Sequence, residues 1–165
     1  MLTDPGQDLD DEMTMVLLRS LNDKGVVECK GAVATLAPAR ARARLTRGTL
    51  DELGLEYVPV ATGSDGGFTK HTATFEKTSS SYIAPDDDTF TGLTGQELLL
   101  QIYTAATPAS IELLVIASMK DAAEFMRTNE GMFAEKTRSV TIMGGVMPFD
   151  EDDDDDGTLL LPDTV

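Results

Sequence analysis

The sequence predicts an α/β fold in which a mostly parallel sheet is covered by helices on both faces, and two observations predict it. Short, largely apolar segments alternate with helical patterns of about 10 to 15 residues, as they do in βαβ units. The most apolar short segment, residues 111–117, contains one charged residue, Glu112, which is typical of a strand buried on both faces. In such folds ligands bind at the carboxyl ends of the strands, so residues that follow strands are candidates for a site.

The first half of the chain contains three strand patterns separated by two helical patterns. The predicted strands are residues 1–3, 26–36 and 57–61. A first helix is predicted over residues 11–21, because its first turn is acidic and apolar residues recur at helical spacing. These apolar residues are Met13, Val16, Leu17 and Leu21. A second helix begins at Pro38 and ends at Gly54, since proline and glycine are favoured at those two ends.

The second half begins with residues 68–93, which show no periodicity and predict a long connection. Thr94 and Glu97 have the spacing of a capping box at the start of a third helix. The predicted buried face of this helix contains Leu98, Leu99, Ile102 and Tyr103. The remaining predicted elements are a strand at 111–117, a helix at 121–133 and a strand at 140–143.

The composition indicates one soluble domain of ordinary size. The 165 residues include 29 acidic and 13 basic ones, so the formal net charge is −16. We therefore expect no nucleic-acid partner, because phosphate binding depends on Lys and Arg. No apolar run approaches the roughly 20 residues that cross a bilayer, and the first residues lack a signal-peptide pattern, so we expect a cytoplasmic protein without a membrane partner. The single Cys29 excludes an internal disulfide, and a homo-oligomer stays open.

An acidic turn, residues 4–11, joins the first strand to the first helix and is the main candidate site. It contains four carboxylates, those of Asp4, Asp8, Asp10 and Asp11, together with a Pro-Gly pair that favours a tight bend. Carboxylates so close repel one another unless a cation neutralises them. Calcium, which takes about 6 to 8 oxygen ligands, fits best, and magnesium is second because it demands stricter octahedral geometry. The alternative is an acidic helix start that only favours the dipole.

Three segments resemble the inosine/uridine-preferring nucleoside hydrolases. Residues 3–13 resemble the aspartate signature that opens that family. Residues 114–123 resemble its strand–loop–helix, which carries a Gly-Pro-Leu-Thr-Asn-type turn, and residues 140–145 resemble its next strand, which ends in Met-Gly-Gly. The three segments occur in the family's order and spacing. The resemblance implies a nucleoside-hydrolase-like fold with a Rossmann-like core.

The resemblance also implies an activity and roles for residues. The implied enzyme is a hydrolase of N-glycosyl bonds that uses a calcium ion to cleave a ribonucleoside into ribose and nucleobase. Asp4 corresponds to the catalytic general base and a metal ligand, Asp11 to a second ligand, and Asp10 to the carboxylate that binds a ribose hydroxyl. Lys120 occupies the position at which the family offers a backbone carbonyl to the ion.

The sequence also departs from the family pattern. Two extra residues separate Asp4 from the Asp10–Asp11 pair, so Asp8 is a further metal-ligand candidate and the assignment among these aspartates stays open. The family's Asn after the second strand has no match near Leu36. The family's domain is about twice as long, so we expect residues 1–165 to be the N-terminal portion of a single, incomplete domain that is inactive by itself, with the base preference undetermined.

Other features of the chain have simpler predicted roles. Arg40, Arg44 and Arg47, with Arg42 beside them, predict a solvated helix face. Residues 63–67 predict a turn at a strand end or, alternatively, a substrate-side loop containing Asp65. His71 is predicted at the surface, and the acidic run at 150–156 is predicted to be a self-repelling solvated loop.

A second function stays open, and a third is disfavoured. The second is a non-catalytic acidic α/β module that binds calcium or a protein partner. The third is a phosphotransferase-like aspartate enzyme, which is disfavoured because the Asp-x-Asp-x-Thr spacing of that class is absent after Asp4.

Overall fold

The computed structural model describes residues 1–66, 82–85 and 92–144. Within these residues the chain forms five strands that alternate with helices. The strands are β1 (Leu2–Thr3), β2 (Ala32–Ala34), β3 (Val60–Thr62), β4 (Ile111–Val115) and β5 (Thr137–Ile142). The helices are α1 (Asp10–Asp23), α2 (Ala39–Glu52), α3 (Gly95–Ala105), α4 (Lys120–Thr128) and α5 (Glu130–Lys136). None of these helices is long and apolar enough to cross a membrane.

The five strands form one parallel sheet in the order β3-β2-β1-β4-β5. Leu2 of β1 is in register with Val33 of β2 on one side and with Val115 of β4 on the other. Along the chain, β2 and β3 are therefore added on one side of β1, and β4 and β5 are then added on its other side. This reversal creates a topological switch point between β1 and β4, which is where ligands bind in open parallel sheets. The predicted parallel α/β fold is confirmed.

Helices cover both faces of the sheet, and each face has its own apolar core. The core beneath α3 and α4 contains Leu2, Val33, Leu98, Val115 and Phe125, and the core beneath α1 and α2 contains Met15, Ala43, Leu50, Val58 and Val60. Neighbouring residues of β2 divide between the two cores, because side chains of a strand alternate between faces. Burial on both faces explains why the strands are apolar almost throughout.

Several predicted elements are confirmed, with differences at their ends. The capping box is present, since Thr94 Oγ1 accepts from the Glu97 amide and the Glu97 carboxylate accepts from the Thr94 amide. The predicted long strand at 26–36 is wrong for its first part, because only three residues of β2 pair with β1 and β3. The predicted helix at 121–133 is two helices, because Asn129 has a non-helical backbone, with φ −128° and ψ 38°.

The apolar spacing that predicts α1 does not mark its buried face. Met13, Val16 and Leu17 are exposed, whereas Asp11 and Met15 face the interior. Apolar periodicity predicts a helix, but it does not determine which side of that helix packs against the sheet. His71 and the acidic run at 150–156 lie outside the described residues.

Candidate functional site

The acidic turn lies at the carboxyl end of β1, beside the switch point. β1 ends at Thr3, and α1 begins at Asp10. Gly6 has a φ of 111°, a left-handed conformation that glycine adopts without a steric penalty, so it allows the chain to bend sharply between the two elements. Pro5 is buried. The Pro-Gly pair thus brings the carboxylates on either side of the bend together.

Asp4 and Asp11 form a carboxylate pair at the base of this turn. Asp11 is only 3% exposed, and its Oδ1 accepts a hydrogen bond from the Asp4 amide at 3.1 Å and another from the Thr3 hydroxyl. Burial and, to a lesser extent, the neighbouring charges of Asp4 and Asp10 together raise the pKa of Asp11 to about 7, against the lowering effect of the two hydrogen bonds. The end of β1 therefore holds this carboxylate in one position.

The pKa of Asp4 is also raised, to about 6, mainly by burial. The Arg42 guanidinium counteracts this increase, while the charges of Asp10 and Asp8 add to it. A carboxylate with a pKa near 6 is basic enough to accept a proton at neutral pH, which is the property required of a general base.

The other predicted site residues are more exposed than Asp11. Asp8 is exposed and Asp10 is half-buried, and both act on Asp4 through their charge. Lys120 is exposed and is the first residue of α4, which follows β4. Because β4 lies beside β1, with the Ile116 amide donating to the Leu2 carbonyl at 3.1 Å, Lys120 belongs to the same edge of the sheet as Asp4.

The donor chemistry of the acidic turn suits a calcium ion, which is bound by carboxylate and carbonyl oxygens. Burial first, and then the charges of neighbouring carboxylates, raise the pKa values of Asp4 and Asp11, and a bound cation would oppose both effects. Glu12 adds a buried oxygen, Oε2, that has no hydrogen-bond partner among the described residues. Within that same part of the chain, however, no three His, Cys, Asp or Glu side chains are grouped closely enough to hold a metal ion. Among the described residues, the acidic turn therefore provides a pair of carboxylates, which is fewer than the about 6 to 8 oxygen ligands that calcium takes.

Arg42 is a site residue that the sequence analysis missed. Its side chain is fully buried, and Nη1 donates to the Asp4 carbonyl at 2.5 Å and to the Pro5 carbonyl at 2.9 Å. Arg42 thus supports the backbone of the acidic turn from below and supplies positive charge to Asp4. A signal was present, since Arg42 lies three residues after Ala39 and four before Thr46, both of which are on the buried face of α2.

The predicted solvated arginine face is accordingly wrong for most of its members. Arg40 is exposed as predicted. Arg44 donates to the Ala84 carbonyl at 2.9 Å, and Arg47 donates to the Leu55 carbonyl at 3.0 Å and to the Val58 carbonyl. These arginines are used to tie α2 to neighbouring loops, because a guanidinium can satisfy several carbonyls at once.

Asp121 is a second residue that was missed, and it joins three elements at the same edge of the sheet. Its carboxylate is 2% exposed and accepts from the Thr35 hydroxyl at 2.7 Å, the Ser64 amide at 3.0 Å and the Ser64 hydroxyl at 2.6 Å. The loop that begins at Gly63 is therefore a turn at a strand end, bound to the start of α4. Asp65 in this loop is exposed. In the sequence, Asp121 looks the same as any acidic residue at a helix start.

Solved structures with a similar fold include an effector protein and two nucleoside hydrolases. No protein-family model and no curated protein matches the sequence. The type III effector protein XopQ, solved in complex with adenosine diphosphate ribose, is 30% identical with a TM-score of 0.81, covering 92% of this chain and 45% of that chain. A plant nucleoside hydrolase is 16% identical with a TM-score of 0.65, covering 87% and 47%. A purine-preferring ribonucleoside hydrolase from Gardnerella vaginalis is 15% identical with a TM-score of 0.63, covering 87% and 48%.

These similarities confirm the expected fold, which is nucleoside-hydrolase-like. The chain spans about half the length of each of the three structures, with 45%, 47% and 48% of their chains covered. At 15–16% identity, the similarity to the two hydrolases supports the fold alone.

Proposed function

We propose that the acidic turn is the ribose-binding part of a nucleoside hydrolase site, in which a calcium ion helps to cleave the N-glycosidic bond of a ribonucleoside. The observation that carries this proposal is the Asp4–Asp11 pair at the switch point of a sheet whose fold nucleoside hydrolases share. The residues of the pair are the ones that the aspartate signature singles out. Membership of the nucleoside hydrolase family is part of the proposal.

In this proposal each carboxylate has one role. Asp4 accepts the proton of the attacking water at its carboxylate, for which its pKa of about 6 is suitable. Asp10, which is half-buried at the start of α1, accepts a hydrogen bond from a ribose hydroxyl. The negative charge of the turn stabilises the oxocarbenium-like sugar that forms as the bond to the base breaks.

Calcium would be held by Asp4 and Asp11, with Asp8 as a further candidate and the Lys120 carbonyl as a backbone ligand. When bound, such an ion orients a water molecule and lowers its pKa. The support for this part is the crowding of acidic groups and the unpartnered Glu12 oxygen. The Arg42 guanidinium already places positive charge near Asp4 and Asp11. A bound calcium ion would add positive charge at the same two carboxylates.

Calorimetric titration with calcium tests the proposed ion, and base release from inosine and uridine tests the hydrolysis. We expect heat of binding for the wild type, its loss in Asp4→Asn and Asp11→Asn, and weaker binding of magnesium. Asp65→Asn is the matched control, because Asp65 is an exposed acidic residue at the same edge of the sheet. Equal heats for wild type and Asp4→Asn would contradict the metal site.

A second candidate function is the binding of adenosine diphosphate ribose without hydrolysis. It is favoured by the similarity to the effector protein XopQ, which was solved with that ligand and is 30% identical to this chain. A diphosphate is repelled by an acidic turn, so this ligand requires a cation at the site or contacts away from it. We therefore expect its affinity to increase when calcium is added.

One experiment separates the two candidates. Because residues 1–165 are expected to be inactive by themselves, a chain extended to the full length of the family's domain is incubated with calcium and with inosine, uridine or adenosine diphosphate ribose, and the products are separated by chromatography. Free base from a nucleoside supports the hydrolase, whereas calcium-dependent binding without any product supports the binding module. The expected cytoplasmic location, the absence of nucleic-acid and membrane partners, and the open question of a homo-oligomer stay predictions.

A further inference from the structure

The carboxylate of Asp121 joins elements that lie on opposite sides of β1. In the strand order, β2 and β3 are on one side of β1 and β4 is on the other. Asp121 is the second residue of α4, which follows β4. Its partner Thr35 directly follows β2, and its partner Ser64 is two residues beyond the end of β3. The hydrogen bonds of Asp121 therefore connect the two sides of the sheet edge from which the acidic turn begins.

The backbone of Asp121 is held as well as its side chain. Gln96, in the first turn of α3, donates from Nε2 to the Asp121 carbonyl at 3.0 Å. The carboxylate accepts from the Ser64 amide at 3.0 Å, from the Ser64 hydroxyl at 2.6 Å and from the Thr35 hydroxyl at 2.7 Å. Because its carbonyl and its carboxylate are both bound, the first turn of α4 is fixed relative to α3 and to the ends of β2 and β3.

Lys120, whose carbonyl is the backbone ligand in the proposed calcium site, directly precedes Asp121. The rigidity of a calcium site contributes to its affinity, so a carbonyl ligand binds well when the peptide that carries it is held in place. Hydrogen bonds around metal ligands have this effect, and their loss typically lowers metal affinity by about 10- to 100-fold. The contacts of Asp121 are of this kind, because they hold the residue that shares a peptide bond with Lys120.

We propose that Asp121 is a positioning residue of the acidic-turn site, which holds the Lys120 peptide at a fixed place on the sheet edge that carries Asp4 and Asp11. Asp121 acts through Lys120 and does not itself bind the ion or the ribose. This role rests on the proposed calcium site. A purely structural Asp121 would stabilise the fold and leave the calcium affinity of the folded protein unchanged, so the calcium affinity distinguishes the two roles.

The negative charge of Asp121 could also attract a cation directly, and Asp121→Asn separates this effect from positioning. The amide keeps an oxygen that accepts from the Ser64 amide, and its nitrogen donates to the Thr35 and Ser64 hydroxyls, since a hydroxyl accepts as well as donates. The Thr35 hydroxyl still donates to the Ser64 carbonyl, which is 2.9 Å away. Asp121→Asn therefore removes the charge and keeps the connections, whereas Asp121→Ala removes both.

Calorimetric titration of the chain with calcium tests the positioning role, with circular dichroism to confirm that each variant is folded. We expect Asp121→Ala to bind calcium at least tenfold more weakly than the wild type and Asp121→Asn to bind within about twofold of it. Gln96→Ala, which keeps the carboxylate contacts and frees the Asp121 carbonyl, should bind at least threefold more weakly. It provides the same test should Asp121→Ala be unfolded. Glu124→Ala is the matched control, because Glu124 is an exposed acidic residue of the same helix, and it should leave the affinity unchanged.

The outcomes distinguish this role from the calcium site on which it rests. Unchanged affinity in either folded variant, Asp121→Ala or Gln96→Ala, overturns the positioning role and leaves the calcium site standing. Equal losses in Asp121→Asn and Asp121→Ala also overturn it, because the charge of Asp121 then attracts the ion directly. A wild-type chain that gives no heat of calcium binding contradicts the calcium site itself, and the positioning role fails with it.

Discussion

Two buried aspartates occupy equivalent places in the fold and differ in their surroundings. Asp11 is the second residue of α1, which follows β1, and Asp121 is the second residue of α4, which follows β4. They are 3% and 2% exposed. Three donors from Thr35 and Ser64 bind Asp121 and use both of its oxygens. Both hydrogen bonds to Asp11 end on Oδ1.

This contrast shows how one local pattern can serve structure or chemistry. Neutral donors on separate elements surround Asp121, so its carboxylate ties β2, β3 and α4 together. Asp11 has acidic neighbours, and burial together with the charges of these neighbours raises its pKa to about 7. A carboxylate with satisfied oxygens stabilises the fold, whereas a crowded one is left able to bind a proton or a cation.

Asp121→Ala should change stability more than any other single substitution considered for this pair. Removing this carboxylate leaves the Ser64 amide and the Ser64 hydroxyl without their acceptor, whereas the Thr35 hydroxyl still reaches the Ser64 carbonyl at 2.9 Å. Hydrogen bonds to a charged group are worth about 1.5–3 kcal/mol each. We expect the free energy of unfolding to fall by about 3 kcal/mol, measured by urea denaturation. Asp65→Ala, at an exposed aspartate of the same edge, should leave it nearly unchanged. Equal stabilities of the two variants would show that Asp121 does not join the three elements.

Arg42→Met comes next and tests the support beneath the acidic turn. It keeps most of the apolar stem but leaves the Asp4 and Pro5 carbonyls without their donor. We expect a loss of about 2 kcal/mol in the free energy of unfolding, and only partial recovery in Arg42→Lys, because an ammonium lacks the planar fork of a guanidinium. Arg127→Met, at an exposed arginine, is the control. A stable Arg42→Met protein contradicts the supporting role.

The pH dependence of stability tests the surroundings of Asp11. The folded protein holds the Asp11 proton more tightly than the unfolded chain, since the pKa rises from 3.8 to about 7. This contribution to stability is fully present below about pH 4 and is lost as the pH rises through about 7. At about 1.4 kcal/mol per pKa unit, the rise sets an upper bound of about 4 kcal/mol.

Asp11→Asn imitates the protonated carboxyl, so it should remove this pH dependence. We expect the variant to be about 1–2 kcal/mol more stable than the wild type at pH 8 and equally stable near pH 4. Urea denaturation across this range, without added calcium, measures the difference. A variant that is less stable than the wild type at pH 8 would show that Asp11 is satisfied in the way Asp121 is.

Thr35→Val should have the mildest consequence, because it removes one donor to Asp121 and keeps the shape of the side chain. We expect a loss of about 1 kcal/mol. In the double variant with Asp121→Ala the effects should be less than additive, because the two side chains share one hydrogen bond. The free energy of unfolding is measured by denaturation of the wild type, both single variants and the double variant. Strictly additive losses would show that Thr35 and Asp121 do not interact.

Local patterns in the sequence were sufficient to predict the alternation of strands and helices, the parallel sheet and the position of the acidic turn. These predictions follow from apolar periodicity, from the Pro-Gly bend and from the cluster of aspartates. The cluster of aspartates also predicted that carboxylates meet at this bend, and the Asp4 amide does donate to the Asp11 carboxylate; the roles of these two residues stay predictions.

Which polar residues become buried partners depends on the three-dimensional arrangement of the elements. Arg42 and Asp121 receive their roles from residues that are 37 to 86 positions away, so no local pattern distinguishes them from a solvated arginine or an ordinary helix start. The same holds for α1. Its sequence is compatible with either side of the helix being buried, and only packing against the sheet determines that Asp11 and Met15 are buried while Met13 and Leu17 are exposed. Side-chain partners across a parallel sheet are set by strand order, and strand order depends on contacts that no short segment of sequence contains.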